Sequence, residues 1–177
     1  SGALTIPPNT GYTAAITEEG KKYMSEVMGI KTEIDFRNER ESGITLQQGS
    51  VIPGATLTYV TINAYQYTFD YDDEYLAFFS MLADKDSYPV YIHCTGGADR
   101  TGSASFLLHA LLGVSEAECI QGYELTSFSS YGLRDTQGNY KNEFQPFMEK
   151  LNTYKGDNIQ EKTETWVRSI GVTQQLI

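Results

Sequence analysis

Apolar residues recur along this chain in two rhythms. In KTEIDF (31–36), LTYVTI (57–62) and YPVYIH (88–93) they alternate or run together, the spacing of strands. The third run is apolar enough to lie inside a sheet. Elsewhere they return every three or four positions. Thr17 is placed to cap a helix through about Met28, with Tyr23, Met24, Val27 and Met28 at helical spacing and Gly29 as terminator. Asp72 is placed to cap a helix over 73–83 that buries Leu76, Phe79 and Leu82. RTGSASFLLHALL (100–112) predicts another, closed by Gly113, and SEAE (115–118) is a capping box opening a helix into Gly122–Phe128. Two more are predicted near 141–151 and 158–170, and GVTQQLI (171–177) carries a cap signal at Thr173. Residues 1–16, with two prolines and two glycines, read as loop. Strands separated by helices predict an α/β layered domain.

Length and charge narrow the partners. A chain of 177 residues fits one domain with a real core. Its 23 acidic against 13 basic residues give a net charge of −10, a field that repels nucleic acid and anionic membrane surfaces. The longest apolar runs fall far short of a membrane span. The first residue is Ser1 rather than Met, so an export signal removed by processing is compatible with the sequence. Two cysteines, Cys94 and Cys119, are too few for a disulfide framework.

One of them opens the segment that carries chemistry. Residues 93–102 read HCTGGADRTG and join the strand 88–93 to the helix beginning near Arg100. In a strand–loop–helix unit, successive loop N–H groups can point inward as an anion nest, backed by the positive end of the helix dipole. Gly96 and Gly97 permit the φ values and close backbone approach such a nest needs. Arg100 offers a planar fork matching two oxygens of a phosphate. An ordinary thiol is only about 3% ionised at pH 7, and a nest of this kind favours its thiolate. The same donors would hold the equatorial oxygens of a phosphoryl group under in-line attack. The pattern asks for a thiol–phosphate reaction.

HCTGGADRTG matches H-C-x5-R-[ST] and so resembles the signature loop of the cysteine-dependent protein tyrosine phosphatases. Its D-R-T-G ending is similar to a bacterial branch with members acting on phosphotyrosine, on other phosphoproteins and on phosphoinositides. IDFRNERE (34–41) resembles that branch's D-L-R-x-x-x-E segment through Asp35, Arg37 and Glu41. SGAL (1–4) resembles its R-S-G-x-L stretch, and GYELTSF (122–128) the helix after the loop. The resemblance implies one phosphatase domain over 1–177, a mostly parallel central sheet flanked by helices, and the phosphate loop between a central strand and a helix. It implies a protein tyrosine or dual-specificity phosphatase, with a phosphorylated protein or small phosphomonoester as substrate and no metal or organic cofactor. The branch's N-F-R-D-x-G-G segment, expected ahead of SGAL, has no match here, which implies a chain lacking the family's N-terminal segment.

Carried over residue by residue, Cys94 is the expected nucleophile and Arg100 the phosphate clamp. Thr101 is expected to ease expulsion of the thiolate from the cysteinyl-phosphate, and His93 to orient the loop. Thr95, Gly96, Gly97 and Ala98 are the expected cradle. Many members carry Lys where this chain has Ala98, so a cation useful toward polyphosphorylated inositols is missing. The acid is Asp99 or one of Asp70, Asp72 and Asp73. Asp35 and Arg37 form an ion-pair support beneath the site or else touch substrate.

Other readings stay open at this point. Rhodanese-like sulfur transfer also uses a cysteine loop at a helix N-terminus, and a phosphate reader without turnover would keep the nest. Phosphoinositide or inositol-phosphate hydrolysis is the rival at the level of substrate. Cys119 reads as structural, or else as a redox partner of Cys94. His109, inside FLLHALL, reads as a core or semi-buried histidine. The 13 tyrosines read as packing and rim. A reactive thiol favours the cytoplasm by default.

Overall fold

The structure, a computed structural model, describes residues 16–38, 47–129 and 132–173. Its centre is three parallel strands, β1 (Thr32–Asp35), β2 (Thr56–Tyr59) and β3 (Val90–His93), in the order β2-β1-β3. The register sets Asp35 opposite both Tyr59 and His93. All four residues of β1 are buried, since the strand has neighbours on both sides. Side chains alternate between faces, so Ile34 enters the apolar core while Glu33 and Asp35 share the other face.

Among the described residues the sheet is accompanied by helices α1 (Glu18–Lys22), α2 (Asp72–Ala83), α3 (Arg100–Leu111), α4 (Glu116–Glu124), α5 (Lys141–Leu151) and α6 (Ile159–Ser169). Several start where the sequence signals them. Thr17 accepts a hydrogen bond from the Gly20 amide, Ser115 and Glu118 close their capping box, and Asn158 caps α6. Mixed α/β architecture with an all-parallel sheet is therefore as expected. Among the described residues β3 pairs with β1 alone, and the central place belongs to β1.

The apolar faces differ more. The α2 helix buries Tyr75, Phe78 and Phe79, leaving Leu76 and Leu82 only partly covered. Aromatic rings bring more apolar area inward than the leucines and so decide which side faces the core. Past Lys22, α1 relaxes into a π-helical turn (Tyr23–Val27) that ends at Gly29, and Tyr23, Val27 and Met28 stay exposed. His109 is exposed as well, not semi-buried, because α3 turns 103, 104, 106, 107, 110 and 111 inward. SGAL, Glu41 and residues 174–177 lie outside the described residues.

The core beneath α2 is a cluster of rings around Trp166 on α6. Its ring meets Phe69 edge-on at 5.1 Å and Tyr75 at 5.0 Å, with Phe79 at 6.2 Å. Trp166 is fully buried. Trp166→Ala is expected to cost about 3–5 kcal/mol through lost burial and the cavity left behind. Urea denaturation measures it, and a loss below about 1 kcal/mol would mean that the cluster collapses around the gap.

Candidate active site

The loop 94–99 leaves the end of β3 and enters α3 at Arg100, so one short segment bridges sheet and helix. Cys94 is buried at 4% exposure. The positive φ falls at Gly97 (66°), where a Cβ would meet no neighbour, so backbone conformation rather than space calls for glycine. Gly102 is set by the opposite reason: a Cβ there would lie 3.0 Å from the Tyr123 ring of α4. Among the described residues the backbone N–H groups of Gly96, Gly97, Ala98, Asp99 and Thr101 find no acceptor. Such N–H groups remain donors for a ligand, and a run of them at a helix start is an anion site in waiting.

Arg100 lies across this loop. Its Nη1 donates to the Phe36 carbonyl (3.3 Å) and its Nη2 to the Thr95 hydroxyl (3.1 Å). The Thr101 hydroxyl is buried and has no hydrogen-bond partner among the described residues. Two cavities flank the loop. One of about 300 Å³ holds Cys94, Gly96, Gly97 and Thr101; the other, of about 470 Å³, holds Asp99 and Arg100 with Asn38, Asn63, Tyr65 and Tyr67. The expected nucleophile and the expected clamp thus share the loop but line different cavities. Cys119 is buried on α4, where its Sγ donates to the Val114 carbonyl, and burial pushes the thiol up. Both cysteines are free.

Beneath the loop lies a buried layer of charge. Asp35 takes Arg37 through both carboxylate oxygens, at 2.9 Å and 2.8 Å from Nε. Asp35 is 0% and Arg37 1% exposed, which leaves neither open to a substrate. His93 joins the layer through Nε2, 2.8 Å from Glu33 Oε1, while its ring stacks on Tyr91. Glu33 also accepts from Gln47, Ser50 and the Val51 amide. Burial alone would push the Glu33 carboxyl up, but His93, Ser50 and Gln47 outweigh it and hold the carboxyl below its ordinary value of 4.5. The sequence reading missed Glu33. The available signal was two acids at i and i+2 on a strand buried on both faces.

Asp99 is held in a second cluster. Its Oδ1 accepts from the Tyr65 hydroxyl and from Arg134 Nη2. Arg134 also donates to Tyr123 Oη (3.0 Å), and its guanidinium lies over the rings of Tyr123 and Tyr140. Burial would push Arg134 down, yet the bond to Asp99 and the interactions with Tyr123 together outweigh it, and the guanidinium stays charged. Burial first, then the Asp99 bond, pushes the Tyr65 phenol up, so it remains a donor. Tyr65 itself sits at φ 60°, a left-handed conformation that costs a non-glycine residue roughly 1 kcal/mol or more. Arg134, a lone arginine in a polar loop, carried no sequence signal. Asp70, Asp72 and Asp73 are exposed near the start of α2 and line neither cavity. Among the described residues, no three His, Cys, Asp or Glu side chains gather where a metal would bind.

The depressed carboxyl of Glu33 fixes a sign for acid stability. A carboxyl held lower in the folded state stabilises above pH 4.5, and that contribution is lost as the pH falls through the folded value. Glu33→Gln is therefore expected to lower Tm at pH 7 and to flatten the loss of Tm below pH 4.5. Parallel acid limbs in wild type and variant would show that the pairing contributes nothing there.

A family model described as the tyrosine phosphatase family matches residues 10–175. No curated protein matches the chain. That model spans the loop, the charged layer beneath it and the helices behind it, and the chain belongs to the tyrosine phosphatase family.

Proposed function

We propose that this phosphatase hydrolyses phosphomonoesters through a cysteinyl-phosphate on Cys94, with phosphotyrosine in proteins as the preferred substrate. The observation that carries the reading is the run of loop amides without acceptors, at Gly96, Gly97, Ala98, Asp99 and Thr101, wrapped around a buried cysteine. A phosphate dianion satisfies those amides together, and Arg100 can turn its fork from Thr95 and Phe36 to two phosphate oxygens.

The chemistry runs in two displacements. The Cys94 thiolate attacks phosphorus as the bond to the ester oxygen breaks, and Asp99, which takes up a proton as the substrate binds, passes it to the departing oxygen. Asp99, now a carboxylate, takes a proton from water as that water attacks the thiophosphate. The S–P bond breaks, its electron pair returns to sulfur, and phosphate leaves. Thr101, with a buried hydroxyl that has no other partner among the described residues, is placed to donate to the departing sulfur. Asp70, Asp72 and Asp73 are set aside as acids because they line neither cavity beside the loop.

Substrate class is argued from the larger cavity. Tyr65 and Tyr67 beside Arg100 offer ring faces to an aryl leaving group, and Asn38 and Asn63 add polar rim. Ala98 is buried and apolar, so the loop adds no second cation for a polyphosphorylated inositol. Phosphotyrosine, phosphoserine and phosphothreonine peptides, phosphoinositides and inositol hexakisphosphate, assayed with chelator present, separate these classes; turnover of the inositol substrates alone would overturn the protein reading.

Cys94→Ser is expected to abolish turnover of para-nitrophenyl phosphate while keeping phosphate affinity, because amides and Arg100 survive. Substantial turnover would remove Cys94 as nucleophile. Arg100→Lys is expected to lower kcat/KM by roughly two orders of magnitude or more, since a point charge cannot make two parallel bonds to the transferring group. Near-normal rates in steady-state assays would contradict the bidentate role.

A further inference from the structure

Asp99 occupies the N-cap position of α3 with a helical rather than an extended backbone (φ −85°, ψ −68°). Here it makes no capping bond. Its carboxylate is instead drawn sideways by Tyr65 and Arg134, while the Thr101 amide and the loop amides before it stay without acceptors. We propose that Arg134 is a positioning residue that keeps the anion nest open: it holds the Asp99 carboxylate away from the Thr101 amide and the loop amides before it, which would otherwise take it as an internal ligand. The assignment rests on the phosphatase reading of the loop.

Arg134 is built for that task. Its side chain is 3% exposed, and a buried guanidinium needs a paired carboxylate far more than a surface one does. Asp99 is the one acidic partner that Arg134 meets among the described residues. Its backbone is clamped by Ser127, which accepts from the Arg134 amide (2.8 Å) and donates to its carbonyl (3.2 Å). Between the Tyr123 and Tyr140 rings the guanidinium plane has little freedom, and Nη2 is aimed at Asp99, Tyr65 and Tyr123 together. Only Oδ1 of Asp99 is engaged; the half-exposed carboxyl still lines the cavity that holds Arg100. Asp99 is thus kept beside the reaction and out of the phosphate's seat.

The test is calorimetric binding of inorganic phosphate, a readout separate from turnover. Arg134→Met frees the Asp99 carboxylate to turn onto the Thr101 and loop amides, and phosphate affinity is expected to fall roughly fivefold, the size of one ordinary hydrogen bond from an amide to a side-chain oxygen. Adding Asp99→Ala to Arg134→Met is expected to restore the affinity, because the competing carboxylate is then gone. A merely structural Arg134 would not be rescued by a second substitution at 99. If Arg134→Met does not fold, Arg134→Lys keeps the charge but gives up the fixed aim of Nη2, and a smaller loss with the same rescue by Asp99→Ala is expected. Unchanged affinity in a folded single variant, or a double variant as weak as the single, overturns the proposal and leaves the phosphatase reading standing. A wild-type protein that binds no phosphate overturns both.

Discussion

Two carboxylates on the middle strand set the terms for everything above them. Glu33 and Asp35 point to the same face of β1 and are shut away from water, where an unpaired charge would be costly. Each therefore recruits a donor from another segment. Arg37 folds back on Asp35 immediately after the strand, and His93 reaches across from β3 to Glu33. These pairings tie the end of β1 to the end of β3 at the point where the loop departs. The Cys94 carbonyl, 3.4 Å from His93 Nδ1, and the Phe36 carbonyl, which receives Arg100, are both fixed by this layer. The loop's shape is thus inherited from the charges beneath it.

From the other side the loop is held by aromatic side chains. Tyr65 donates from its amide nitrogen to Ser103 of α3 and from its phenol to Asp99, pinning two points of the loop–helix junction. Tyr123 packs against Gly102 and offers its hydroxyl to Arg134. A segment far along the chain, around Arg134, is in this way anchored to the start of α3. The sheet supplies the floor, and the helices with their connecting loops supply the wall.

Signals carried by consecutive residues were legible in the sequence: the strand–loop–helix unit at 88–112, the caps at Thr17 and Ser115, and the Asp35–Arg37 pair two positions apart. What escaped depends on contacts between distant segments. Arg134 meets Asp99 across 35 positions, and nothing near RDTQGN hints at it. Glu33 looked like the polar side of an alternating strand because burial of both faces depends on where β2 and β3 fall. The α2 face was misjudged because leucine periodicity competes there with three aromatics, and ring packing around Trp166 decided. His109 was misjudged because an apolar run gives no phase when nearly every position is apolar.

The last letter of the D-R-T-G stretch belongs to a different problem from the first three. Gly102 is the gap through which the Tyr123 ring reaches the first turn of α3. A larger residue would push α4 away by a few tenths of an ångström and carry with it the phenol on which Arg134 leans. Transplanting this loop into another scaffold would therefore require the recipient's neighbouring helix to come equally near. The motif is a ten-letter word whose spelling is partly dictated by the spacing of two helices.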